Sequence, residues 1–469
     1  MDRLLARRPA RRGLMLAAEA LRCRHRRLCA SAASELYDVV IVGSGMVGAG
    51  LAAALGASPL TDRLRVAVLD QKTPEDKLAS SLSPIPEMRV STLTPASIQL
   101  LEKTGAWDRI LPPSCASFSH MQVWDYSGAG CLRWSAADIQ RDTMGAIIEN
   151  GVLQSAFLAV ARERAGVECI MPATVKALVQ APYAREPGSN SANPSSILRL
   201  EDGRLLRARL VVGADGAHSN IRQMSDIRTV GWEYDQRGLV ATVRVSFPTD
   251  TAWQRFLPTG PVALLPVRAG FCNVVWSTTP PMARQLEKAP LDKVALAINE
   301  AFHGGPSNDP PSPVASMLEK AGQEPSMFCS PPAVVEIVGG PPRSFPLKLM
   351  HAGSYVRPRL ALVGDAAHVV HPLAGQGVNL GLGDVQQLAE ALAAAVETGQ
   401  DIGDLHLLQT TYEQPRLKAN LAMMAALDAL KRAFGVQSEL FAQMRNLGLD
   451  VLNAAKPIKN RVMQYAMGL

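Results

Sequence analysis

The amino-acid sequence predicts an α/β protein in which a parallel sheet, assembled from distant stretches of chain, stands beside an antiparallel sheet and is followed by a helical C-terminal region. Two observations carry this expectation. Three short apolar runs, Val39-Val40-Ile41-Val42, Leu210-Val211-Val212 and Leu360-Ala361-Leu362-Val363, each pass straight into glycine, the pattern of buried parallel strands. Between them lie stretches suited to antiparallel pairing, Met121–Trp124, Val240–Val245 and Cys272–Trp276, where β-branched and aromatic residues recur.

Taken in order, the first strand is followed by an Ala- and Leu-rich helix from Met46 to Leu55 and by a second strand from Leu64 to Leu69, completing one βαβ unit. The polar stretch Arg185–Ser196 reads as a surface loop or hairpin insertion. Ten of the 33 prolines fall between Pro306 and Pro346, behind Gly304-Gly305; strands there are expected to be short or at a sheet edge, because proline offers no amide to a ladder. From Asp384 to the C-terminus the pattern is helical, and no internal repeat is found.

The chain has 469 residues, room for two or three domains at roughly 150 residues each. With 47% hydrophobic and 19% charged residues it is too apolar for a disordered chain. The net charge of +6 is misleading, because residues 1–34 hold nine arginines against Asp2 and Glu19, a local +7 that leaves −1 for the rest. Nucleic acid is therefore not an expected ligand. The Arg-rich, acid-poor segment ending in Ser31-Ala32-Ala33-Ser34 has the composition of a mitochondrial presequence, so the mature chain is expected to begin near residue 30–36. Of seven cysteines, the five beyond that segment are widely spaced with no C-x-x-C pair, which suggests neither zinc nor a redox dithiol. No run reaches the ~20 apolar residues of a membrane span.

Gly43-Ser44-Gly45-Met46-Val47-Gly48 follows a strand and opens a helix, and Asp70 ends the next strand 22 residues after Gly48. The first glycine allows the tight turn, Gly45 lets a pyrophosphate approach the backbone, Gly48 allows close helix–strand packing, and the acid suits a ribose hydroxyl. FAD and NAD both fit at this step; a bare glycine turn with a helix cap at Asp70 is the plain alternative. A second constellation favours the flavin. Gly364-Asp365-Ala366-Ala367-His368 follows a strand and precedes Pro372-Leu373-Ala374-Gly375-Gln376-Gly377-Val378-Asn379. A strand-terminal aspartate suits a ribityl chain, and a glycine-rich loop entering a helix offers free amides to an electron-rich ring edge.

With Gly213-Ala214-Asp215-Gly216-Ala217-His218-Ser219-Asn220-Ile221-Arg222, which matches a D-G motif, and residues 364–379, which match a G-D motif, the chain resembles the single-component aromatic-ring flavoprotein monooxygenases similar to para-hydroxybenzoate hydroxylase. The resemblance spans residues 36–469. Ala252–Pro258, Gly260–Pro266 and Gly364–Asp384 look like the ubiquinone-biosynthesis branch, and the leader narrows the likeness to its mitochondrial member. The resemblance implies a Rossmann-like discontinuous FAD-binding domain (35–115, 145–227 and 345–400), an antiparallel-sheet substrate domain (116–144 and 228–344), C-terminal helices (401–469) and a presequence (1–34).

Carried over position by position, it gives FAD the residues Gly43, Gly45, Gly48, Asp70, Arg89, Asn150, Asp215, Asp365, Gly375, Gln376, Gly377 and Asn379, and gives oxygen activation the loop with Pro372, Ala374 and Gly375. Asp70 departs from the glutamate common in the family. The implied reaction is hydroxylation at C5 of the ring of a polyprenylated phenol by dioxygen, through a C4a-hydroperoxyflavin. A ferredoxin with its reductase is the implied electron source, and other ubiquinone-biosynthesis proteins, in a complex on the matrix side of the inner membrane, are the implied partners. The rival readings are a flavin oxidase or dehydrogenase and a scaffold that keeps FAD for stability. His368 and His371 are expected to be structural and bonded to backbone, with no metal, since no carboxylate in the sequence pattern completes a site; handling of the phenol proton is the alternative. Trp253, Phe256 and Trp276 suit either an aromatic pocket or a core, and Lys418, Lys431, Arg432, Arg445, Lys456, Lys459 and Arg461 either a membrane-binding face or a solvated one.

Overall fold

The computed structural model describes residues 35–78, 83–110, 112, 114–128, 130–180, 194–305, 328–436 and 438–468. The expected presequence, most of the polar stretch 185–196 and the prolines from 306 to 325 lie outside the described residues. At the centre of the parallel sheet is Glu35–Val42, flanked by Leu205–Gly213 and Val66–Leu69. Leu360–Leu362 extends the sheet beyond the former and Val167–Ile170 beyond the latter, all parallel. Val356–Arg357 closes one edge antiparallel, and Val175–Val179 pairs antiparallel with Ser196–Leu200 in a branch off Leu205–Gly213.

Val39, Val40 and Ile41 are fully buried, which explains a strand with no polar alternation. Helix Met46–Ala57 packs against helices Asn150–Arg162 and Gln376–Glu397. Every residue from Gly48 to Gly56 is buried, so this helix is apolar on all sides because it is covered on all sides.

The second sheet runs in the order His368–Val369, Val334–Ala352, Thr229–Val245, Phe271–Thr278, Gly260–Arg268, Thr251–Leu257, His120–Asp125 and Cys131–Ser135. It is antiparallel except where Thr251–Leu257 meets His120–Asp125. Helices Pro280–Lys288 and Leu291–His303 cover one face through Leu286, Val294, Ile298 and Phe302, and Trp253 and Trp276 belong to that core. A small sheet of Val90–Leu93, Gly145–Glu149 and Cys115–Phe118 completes the strands used below.

Strand Val334–Ala352 is 19 residues long, so of the two alternatives its prolines left open, a short strand or an edge position, it takes the edge along most of its length. Pro341 and Pro342 fall in a register irregularity, between the pairings of Val240 with Arg343 and Thr242 with Val338, and the strand has a second neighbour only at Met350 and His351. Its missing amides therefore leave few carbonyls without a partner. The helical C-terminal part begins at Gln376, ahead of the expected Asp384, and continues through Gln414–Gly435, Glu439–Ala454 and Lys456–Ala466. No described helix is long and apolar enough to cross a membrane.

Candidate active site

Register brings the three glycine motifs together. Val42 pairs with Gly213 on one side and Leu69 on the other, and Gly213 pairs with Leu362. The turns beginning at Gly43, Ala214 and Gly364, together with Asp70, thus leave the sheet at one level, at the carboxyl ends of parallel strands where α/β proteins bind ligands. Contact between the turns is close. A Cβ on Gly43, whose φ is +107°, would fall 2.3 Å from the Ala214 carbonyl oxygen, and one on Gly48 would fall 1.9 Å from that of Gly43. Gly45 differs, since a Cβ there meets no described atom within 4 Å, and no side chain caps the helix that follows. The first amides of Met46–Ala57 are thereby presented to open space with the positive end of the helix dipole.

The carboxylates behave differently from one another. Asp70 Oδ2 accepts from the Ser44 amide (2.7 Å) and hydroxyl (2.8 Å), and Gln154 donates to the Ser44 carbonyl at 2.8 Å. Asp215 accepts from the Ser219 hydroxyl (2.5 Å) and the amides of Asn220 (2.7 Å) and Ile221 (3.1 Å), so it fixes its own turn. Arg222, buried, donates to the carbonyls of Ala217 and Ala366 and ties the second turn to the third. Asp365 is accessible to solvent yet has protein packed closely around it. That enclosure raises its carboxyl above the ordinary value, opposed by the nearby positive fields of His368, Lys348 and Arg89.

Arg89 reaches the site from a strapped segment: Thr242 donates to the Glu87 carbonyl and Asn273 to that of Met88. Asn150 donates its amide to the Arg89 carbonyl (3.0 Å), and its side-chain oxygen accepts from Ser91 (2.7 Å). Across the crevice, Pro372 precedes a short turn, Leu373–Gly375, which contains Ala374. Gly375 has φ +62° and leaves no room for a Cβ beside Thr92. The side chain of Gln376 donates to the Ala466 carbonyl. Gly377 faces open space, and helix Gln376–Glu397 has no side-chain cap. Asn379 is engaged by protein alone: Oδ1 accepts from the Thr94 amide and from Ser97, and Nδ2 donates to the carbonyls of Thr92 and Gly375. Its side chain holds the loop in place, a part that the spacing of the motif does not reveal.

Both histidines depart from expectation. His368 bonds not to backbone but to Asp384, Nε2 to Oδ2 at 2.6 Å, with both side chains sealed from solvent. Asp384 also accepts from the Gly364 amide (2.9 Å), Arg416 (2.7 Å) and Asn420 (3.1 Å). Burial alone would raise its carboxyl, but His368 and Arg416 outweigh that and hold it below the usual range. His371 is 1% exposed, packs edge-on to Tyr234, and neither ring nitrogen has a partner among the described residues. Burial, with Lys431 nearby, pushes it down to about 4. The described residues hold no cluster able to ligate a metal.

Two uncapped helix ends, open space at Gly45 and Gly377, and a hemmed-in but accessible aspartate fit a dinucleotide with a polyol linker. The FAD-binding-domain family profile matches residues 36–317 and 325–426. Mitochondrial ubiquinone biosynthesis monooxygenase COQ6 from Xenopus tropicalis is 37% identical over 458 residues, covering 94% of this chain and 95% of its own. The human protein of the same name is 37% identical over 452 residues, with 94% of each chain covered. The chain belongs to the COQ6 family of FAD-binding monooxygenases. Its fold is also that of p-nitrophenol 4-monooxygenase PnpA from Pseudomonas putida, with TM-score 0.67 and 18% identity over 92% of this chain and 98% of that one. Pseudomonas aeruginosa PqsL in complex with 2-aminobenzoylacetate gives 0.64 and 21% over 87% and 99%.

In this COQ6-family chain a cavity of about 400 Å³ lies apart from the glycine turns, lined by Phe256, Leu257, Pro258, Pro261, Phe434 and Val436 among others. Phe256 stacks on Phe434 with ring centroids 3.7 Å apart, so of the three aromatics singled out in the sequence it alone lines this cavity. The C-terminal cations also divide. Arg445 pairs with Asp125, and Lys459 donates to the Arg133 carbonyl, while Lys418, Arg432, Lys456 and Arg461 are exposed.

Proposed function

We propose that this protein is an FAD-dependent monooxygenase that hydroxylates the aromatic ring of a polyprenylated phenolic ubiquinone precursor at C5, taking one oxygen atom from dioxygen. The observation that carries the reading is the alignment of Val42, Gly213 and Leu362, which gathers three remote motifs around one crevice. When bound, FAD supplies dioxygen activation and the electrophilic oxygen. The chain's own part is to bind, orient and exclude water. Amides at the start of Met46–Ala57 would hold the pyrophosphate and Asp70 the ribose. Asp365 would accept from the ribityl hydroxyls. The backbone from Pro372 to Gly377, anchored by Asn379, would offer amides to the ring edge where negative charge develops.

The protein acts in mitochondria, at the matrix face of the inner membrane. Ferredoxin and its reductase deliver electrons there, and other proteins of the pathway assemble around it. Support for this comes from the Arg-rich leader, the single dinucleotide motif of the sequence and an apolar substrate that resides in lipid. Incubation of the purified holoprotein with reductant, prenylated phenol and ¹⁸O₂ tests the chemistry. Product heavier by one labelled oxygen is expected; substrate oxidation without label would mean an oxidase or dehydrogenase.

A further inference from the structure

Helix Glu439–Ala454 is inside out. Four of its polar residues face the protein: Arg445 donates to Asp125 (2.7 Å) and Ser127 (2.9 Å), and Asn446 accepts from the Gly130 amide (2.7 Å). Asp450 and Asn453 likewise accept from the amides of Cys131 and Arg133. Apart from Leu449, which packs against the Phe256–Phe434 cluster, a row of its apolar residues faces away. Leu440, Phe441, Met444, Leu447 and Val451 are each more than half exposed, and their spacing places them on one side of the helix.

Lys456–Ala466 repeats the inversion in part, with Met463 turned to the core. Lys459 and Asn460 donate inward to the carbonyls of Arg133 and Asp138, while Ile458, Val462 and Tyr465 are exposed. An amphipathic helix of a globular protein normally turns its apolar stripe to the core. Two successive helices that do the reverse present a patch built to be covered.

Charge identifies the cover. Lys456 and Arg461 are exposed on the second of these helices, and Lys418 and Arg432 on the preceding helix Gln414–Gly435, where Arg432 pairs with Asp428; on these three helices Glu439 is the one exposed acid among the described residues. An apolar stripe among cations is the chemistry of a helix lying in the interface of an anionic bilayer. A second copy of the chain would bring like charges together. We propose that the outward faces of Glu439–Ala454 and Lys456–Ala466 form a docking surface for an anionic phospholipid membrane. This deepens the membrane-associated part of the reading above. Val436, which lines the 400 Å³ cavity together with Lys431 and Arg432, lies three residues ahead of the first of these helices, so a lipid-dissolved substrate would meet the protein beside that cavity.

Flotation of purified FAD-loaded protein with phosphatidylcholine vesicles, with and without cardiolipin, tests the proposal. Wild-type protein should float with the cardiolipin vesicles and progressively less as salt screens the charges. The triple variant Leu440→Ser/Phe441→Ser/Met444→Ser and the double variant Lys456→Glu/Arg461→Glu should each reduce binding about tenfold or more. Both should keep their flavin spectrum and melting temperature, which separates lost docking from lost folding. Undiminished flotation of either variant would overturn the proposal. So would a wild-type protein that ignores vesicles and instead forms a dimer abolished by the triple variant. A wild type that floats but binds no FAD would sink the enzymatic reading and leave the docking surface standing.

Discussion

One oxygen of Asp384 grips both ends of the turn that carries Asp365: Oδ2 accepts from the Gly364 amide at 2.9 Å and from His368 Nε2 at 2.6 Å. The turn is thus held from behind by a residue that lies on the next helix and is itself fully buried.

Asp384→Asn should destabilise the protein by about 3–5 kcal/mol, because it leaves His368 and Arg416 beside a lost buried charge. Urea unfolding measures this. The Asp384 carboxyl titrates below its ordinary value of 3.8 in the folded state, so its contribution is complete above that value and is lost as pH falls through the depressed one. The variant should therefore lose the wild type's steepening of instability in that acid range.

Asp365→Asn should do the opposite to the apoprotein. The folded carboxyl is raised by enclosure, so the ionised form is a burden at neutral pH and the relative stability it gives at low pH fades as pH rises through the raised value. The neutral variant is expected to melt at the same or a higher temperature than wild type without FAD, and to bind FAD at least about tenfold more weakly, the scale of one charge-assisted hydrogen bond. Differential scanning fluorimetry and flavin-fluorescence titration read the two effects separately.

Gly45→Ala and Gly48→Ala make a contrasting pair. The Gly48 variant collides with the Gly43 carbonyl and should fail to fold or melt far below wild type. Gly45 has φ −59° and nothing described in the way, so its variant should fold normally but place a methyl where the pyrophosphate approaches. Circular dichroism should separate them before any FAD is added, and the Gly45 variant should then titrate weakly with FAD.

His371 should make the protein acid-labile above the carboxylate range. Its folded value of about 4 against 6.5 means that the unfolded chain takes up the proton first. Stability should fall by about 3 kcal/mol as pH drops from 6.5 towards 4. His371→Leu should remove that slope and, because neither ring nitrogen has a partner among the described residues, leave stability at neutral pH unchanged or higher. Denaturant midpoints across pH decide it; a slope retained in the variant would assign the effect to another group, such as His351, which burial also lowers.

The glycine-ended strands and the antiparallel stretches were legible because burial on both faces or on one leaves a direct trace in residue pattern. The spacing also named Gly43, Asp70, Gly213 and Asp365, whose place depends on local chain geometry. It could not reach Asp384, Arg416 and Asn420, since a lone acid within an apolar helix reads as a surface residue until its partners are known. Arg222 and Asn379 lie within recognisable motifs, but their bonds run to carbonyls remote in sequence. The prolines of Val334–Ala352 left a short strand and an edge strand both open, because edge position is a property of the sheet; the strand is long and lies at the edge over most of its length. Nor could periodicity say which side of Glu439–Ala454 faces inward: it reports that a helix has two faces, and says nothing of what each one meets.

The row Leu69, Val42, Gly213, Leu362 has a temporal meaning as well. Its members are joined only by contacts between distant parts of the chain, and such contacts form slowly. A ribosome, or an import channel, must release nearly the whole polypeptide before the last strand can slot in beside Gly213. The nucleotide's site is therefore complete only once the last of these strands is in place, and no shorter stretch of the chain can hold it.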